Sequence, residues 1–103
     1  MATSRKNEAR ILDANEAEMV AQSRHPQLQE LGGKDLAGLL TRLRERRDRA
    51  TAIADRQRRA VRGKGGERGT FEHADAGNRQ KAGVLAAAIS RVNKERARRG
   101  ASE

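Results

Sequence analysis

At 103 residues the chain has room for one small domain, and the lack of cysteine excludes disulfides, thiolate metal sites and thiol catalysis. Only 18 residues are Val, Ile, Leu, Met or Phe and a further 18 are Ala, while 23 basic against 14 acidic side chains leave a net charge of +9. A core that thin and a balance that basic point to an acidic partner, and no stretch approaches the roughly 18 apolar residues of a membrane span.

Residues 1–33 carry four basic and five acidic groups. The opening MATSRKNEAR has no apolar segment of signal-peptide length, so a cytoplasmic, soluble product is expected. Ser4 to Ala14 reads as helical through Ile11 and Leu12. Asn15 with Glu18 three residues on resembles a capping box before Met19 and Val20. Pro26 pushes its predecessor out of helical geometry, so helix ends by His25. Gln27 to Leu31 predicts a single turn, closed by Gly32-Gly33.

The strongest helical signal runs from Asp35, a ready cap, to Arg62, with Gly63 as its stop. Leu36, Leu40, Leu43, Ala50, Ala54 and Val61 alternate in steps of four and three, the seam of a coiled-coil-like helix, and Leu39, Ile53 and Ala60 widen it. Arg47 and Gln57 interrupt the seam and read as polar side chains reaching out from its edge. Gly63 to Gly77 holds five glycines and predicts a loop, with Phe71 the only aromatic in the chain. A second helix follows from Asn78, its cap, to Arg99, where Gly100 ends it. Its seam is Leu85, Ala88, Val92 and Glu95, broadened by Val84 and Ile89.

These elements divide the chain into residues 1–33, a helical segment; 34–62, a long basic helix; 63–77, a glycine-rich loop; 78–99, a second basic helix; and 100–103, a tail. The expected class is all-α: an antiparallel helical hairpin of two long helices, with a short, partly flexible N-terminal helical segment covering one end.

Charge concentrates on the two helices. Residues 42–64 hold ten basic and three acidic side chains, and residues 56–64 hold five cations and no acid. Arg42, Arg49 and Arg56 recur every seven residues on the outer face, about 10.5 Å apart. Arg46, Arg58, Arg59, Arg62 and Lys64 flank them, and Arg91, Lys94 and Arg98 share one face of the second helix. Guanidinium groups donate in pairs to phosphate oxygens, and such binding releases counterions without reading bases. With one Phe and neither Tyr nor Trp, stacking on unpaired bases has no platform. The expected function is therefore gripping backbone phosphates of structured RNA or duplex DNA without strong sequence preference. The alternative is a helical interaction module, such as an adaptor, an antitoxin-like neutraliser or a regulatory subunit, that completes its folding on an acidic partner or in a homodimer.

Other motifs carry less. RGKGGERGT lacks the Gly-Lys-Ser/Thr end and the preceding strand of a phosphate-binding loop. Glu72, His73 and Asp75 sit on too loose a frame to hold a metal. No nucleophile–base or carboxylate pair emerges, so neither an enzyme nor a cofactor is expected, and bulky apolar anchors for a membrane surface are missing from the basic stretches.

Overall fold

The computed structural model describes the backbone of residues 5–64 and 68–102 and, within them, the side chains of residues 6, 8–59 and 77–100. Five helices follow one another: α1 (Arg5–Ile11), α2 (Ala14–Gln22), α3 (Gln27–Glu30), α4 (Gly33–Lys64) and α5 (Arg68–Ser102). The described residues contain no strand. Helices α4 and α5 form the antiparallel hairpin that the two aliphatic seams predict, and α1–α3 lie against it as a short second layer.

The seams do the packing. On α4, Leu36, Leu39, Leu40, Leu43, Ala50 and Ala54 are buried, all within about a 100° arc of one helix face. On α5 the buried positions are Val84, Leu85, Ala88, Ile89, Val92 and Glu95, the six read from the sequence. Leu12, Met19, Val20 and Leu28 from the N-terminal layer complete a single cluster around the leucine-rich start of α4. Towards the other end only Ala50 and Ala54 are buried on α4, Ile53 is half-buried, and Gln57 is bonded across the hairpin by Asn78 (Nδ2 to Oε1, 3.3 Å). Val61 and Ala60 lie outside the described side chains.

Several boundaries move. The capping box of α2 is built by Asp13 and Glu16, not by Asn15 and Glu18: Glu16 N donates to Asp13 Oδ1 at 2.8 Å, and Asp13 N donates to Glu16 Oε1 at 2.9 Å. Both pairs have the right spacing. Burial selects between them, because this frame puts Glu16, Met19, Val20 and Ser23 on the face that meets the hairpin. Helix α4 begins at Gly33, two residues before Asp35, with Leu36 N bonded to Gly32 O at 2.9 Å, and Asp35 lies in the first turn, where a carboxylate suits the helix dipole. Gly63 and Gly100 do not stop their helices, which continue to Lys64 and Ser102.

The segment read as a loop over residues 63–77 is helical from Arg68, ten residues before the expected start at Asn78. Glycine in a helix costs only about 1 kcal/mol relative to alanine, and the one proline of the chain lies far upstream, so glycine weakens this stretch without breaking it. Asn78 is consequently an interior residue that spans to Gln57 rather than a cap. Gln57 thus joins a cross-hairpin pair, while Arg47 does turn outward, to Asp48 Oδ1 at 3.0 Å.

One buried carboxylate ties the two layers together. Glu16 is 3% exposed, and its oxygens lie 3.6 Å from Arg46 Nη1 of α4 and 3.1 Å from Lys81 Nζ of α5. Replacing Glu16 by Ala removes the cap bond, takes the carboxylate from half-buried Lys81 and leaves Arg46 with Asp13 alone, so the urea midpoint of helix unfolding should fall by the equivalent of about 2 kcal/mol. An unchanged midpoint would show that the layer holds by apolar contact alone. By contrast, a methyl group added at Gly83, in the interior of α5, meets nothing within 4 Å. Gly83→Ala should raise stability by about 0.5–1 kcal/mol in the same measurement.

Candidate nucleic-acid interface

The fold divides the basic side chains into two populations. The first holds the protein together. Arg46 is half-buried, with Nη1 donating to Asp13 Oδ2 at 3.1 Å. Arg24 Nη2 donates to both oxygens of Glu8 at 2.9 Å, fastening the α2–α3 connection to α1. Arg99 reaches from α5 to the carbonyls of Leu28 (3.3 Å), which also accepts from Leu31 N, and Gln29 (3.4 Å) at the end of α3.

Three residues read as outward cations belong to this inner population: Arg46, held by Asp13 and Glu16, and two on α5. Arg91 turns into the fold, where Nη2 and Nε donate to the fully buried Ser23 Oγ at 2.9 and 3.2 Å. Burial lowers its pKa first, the neighbouring Arg24 lowers it further, and Glu8 opposes both. Arg24 Nε is itself buried without a hydrogen-bond acceptor, so two guanidinium groups here share one carboxylate. Arg98 keeps an exposed side chain but grips buried Glu95 with two bonds, of 3.0 and 2.6 Å. The shared face of Arg91, Lys94 and Arg98 is a real helical face, and part of it is where the N-terminal layer docks.

The second population points to solvent. Arg42, Arg49 and Arg56 are exposed and have no ion pair among the described residues; Arg42 Nε makes only a 3.4 Å bond to Gly38 O of its own helix. Arg59 is exposed and likewise returns to its own helix, at Asp55 O (3.4 Å), and Arg58 is exposed. Arg44, Lys94 and Arg96 are exposed with no ion pair among the described residues. The side chains of Arg62 and Lys64 lie outside the described residues.

Helical neighbours fix the placement. Arg46, tied to α2, marks the flank of α4 that faces the N-terminal layer; Arg42 and Arg49 stand four before and three after it on the same flank, and Arg56 follows one heptad on. Arg44 and Arg58, fourteen apart, lie on the opposite flank. Between the two rows, the crest facing away from α5 carries Glu45, Asp48 and Asp55, with Arg59 fourteen residues on from Glu45. Cations therefore line both shoulders of the rod, and the ridge holds three acids with Arg59 beyond them.

Arg96 is an outward cation that the spacing argument missed. The signal was present in Glu95: a carboxylate in an aliphatic seam calls for partners three and four residues on, which are Arg98 and Arg99, and so removes Arg98 from the available set.

No protein-family model matches the chain, and neither a curated protein nor a solved structure shows significant similarity to it. Among the described residues no helix is long and apolar enough to cross a membrane, and no group of three or more His, Asp or Glu stands close enough to hold a metal ion.

The bonds from Arg98 and Arg99 hold the Glu95 carboxyl at about 2, well below its ordinary 4.5, against the opposing effect of burial. A carboxyl with a depressed pKa stabilises the fold above its unfolded value, and that contribution is lost as pH falls. Unfolding midpoints should thus drop between pH 4.5 and about 2, and Glu95→Gln should flatten part of this dependence. Asp13, lowered chiefly by the Glu16 backbone N–H, supplies a further part. An identical pH profile for Glu95→Gln would remove the seam carboxylate from the acid response.

Proposed function

We propose that the chain is a small helical nucleic-acid-binding protein that holds backbone phosphates of structured RNA or duplex DNA along α4. The observation that carries this reading is the row of Arg42, Arg49 and Arg56, exposed and without an ion pair among the described residues. The acids inside the fold, Glu8, Asp13, Glu16 and Glu95, already have their own cations in Arg24, Arg46, Lys81, Arg98 and Arg99. The excess charge is thus left outside, on a rod about 48 Å long over 32 residues.

The chemistry suits a double-stranded or folded target. The row spaces its guanidinium groups about 10.5 Å apart, close to three base-pair steps of about 3.4 Å. Arginine forks donate to phosphate in pairs. No described side chain is Phe, Tyr or Trp, so stacking on a run of unpaired bases lacks its usual platform. The acids on the crest of α4 keep that line away from phosphates, which leaves the shoulders as the contact surfaces.

Fluorescence anisotropy of a labelled duplex, titrated with salt, tests this directly. Affinity should fall with a log–log slope of about −0.7 to −0.9 per phosphate engaged. Replacing Arg42, Arg49 and Arg56 together by Gln should make the slope shallower by about 2 to 3, with the thermal midpoint unchanged because none of the three braces the fold. A salt-independent affinity, or a slope untouched by the triple change, would sink the reading.

A further inference from the structure

Where Arg42 begins the row, α4 and α2 leave between them a cleft of about 400 Å³. Asn15, Glu18 and Gln22 of α2 form one wall, Arg42, Glu45 and Arg46 of α4 the other, and Met19, 6% exposed, lies at its base. Its volume falls in the range of about 300–1,000 Å³ typical of small-molecule sites. We infer that this cleft receives the base of an unpaired nucleotide, so that the preferred target is a duplex interrupted by a bulge or loop; this rests on the phosphate-gripping role of α4.

Charge decides what fits. Arg46 is committed to Asp13 and Glu16, which leaves Arg42 facing Glu18 and Glu45. A bare phosphate meets two carboxylates there and one cation, so the cleft is no anion site. A neutral group that carries both donors and acceptors suits it. Asn15 and Gln22, seven residues apart, present two carboxamides on one face of α2, and neither side chain has a hydrogen-bond partner among the described residues. Carboxamides match the donor–acceptor edges of bases, carboxylates accept from exocyclic amines, and a guanidinium plane such as that of Arg42 stacks on a heterocycle. Met19 supplies a polarizable apolar floor.

Position supports the same occupant. Arg49 and Arg56 continue from Arg42 at about 10.5 and 21 Å along the helix, so a base in the cleft has its own strand running onto the row of cations. A base stacked within a duplex cannot leave the helix to enter a side cleft without being unpaired, whereas a bulged base is already free to do so.

The experiment compares the full chain on a perfect RNA duplex and on the same duplex carrying one unpaired nucleotide, by anisotropy at fixed salt. The bulged duplex should bind about tenfold more tightly, the size of one good base contact. Asn15→Ala with Gln22→Ala should bring the ratio to about one while leaving affinity for the perfect duplex and its salt slope unchanged. Asn15→Asp with Gln22→Glu, which keeps shape and adds negative charge, should also bring the ratio to about one while weakening both duplexes, and circular dichroism of both variants checks that α2 is intact. Equal affinity of the native chain for both duplexes, or a preference that survives both variants, overturns this inference alone. Failure to bind either duplex overturns the phosphate-gripping role as well.

Discussion

The buried carboxylate of Glu16 is the constraint on which the two-layer arrangement depends. A charge taken out of water must be matched, and here the match comes from three directions: the start of its own helix, α4 through Arg46 and α5 through Lys81. Aliphatic contact alone would let a nine-residue helix slide or rotate over the hairpin, because apolar attraction has no direction. Hydrogen bonds and ion pairs do have direction, and they fix α2 in one frame. Arg91 to Ser23 and Arg99 to the end of α3 repeat the device further along the same side.

Anchoring the N-terminal layer in this way consumes particular cations and leaves others. Residues 42–49 and 91–99 each contain both kinds. Arg46 lies between Arg42 and Arg49 in sequence and on the same flank of the helix, yet it is spent on Asp13 and Glu16 while its neighbours are not. The charge without an ion pair among the described residues therefore stands on the shoulders of α4 as the row of Arg42, Arg49 and Arg56 and as Arg44, with Lys94 and Arg96 exposed on α5. Net charge alone would give a diffuse cloud; internal neutralisation gives it an address.

The hairpin was legible from the sequence because helical periodicity depends on one chain segment at a time. Leu36 to Ala54 and Val84 to Glu95 repeat at helical spacing, and burial follows that spacing residue by residue. Features that need two segments were read less well. Asn15–Glu18 and Asp13–Glu16 are equivalent as local signals, and only the position of Arg46 and Lys81 in space separates them. Arg91 has the composition of a surface residue, and nothing local says that Ser23, sixty-eight positions earlier, will lie beneath it. Glycine count suggested a loop before Asn78, although no proline was present to enforce one.

The aliphatic contacts of the hairpin are unequal along its length. Four leucines of α4 meet α5 and the N-terminal layer at one end, whereas the buried residues of α4 beyond them, among the described side chains, are Ala50 and Ala54, followed by a Gln57–Asn78 amide pair. Local opening costs least where apolar burial is smallest, so backbone amides of residues 54–59 should exchange with solvent before those around Leu39 and Leu43. Arg56, Arg58 and Arg59 stand on that looser stretch. The row that begins at Arg42 on leucine-packed helix thus ends at Arg56 on helix packed through alanine, so its last guanidinium rides on the less firmly clamped backbone.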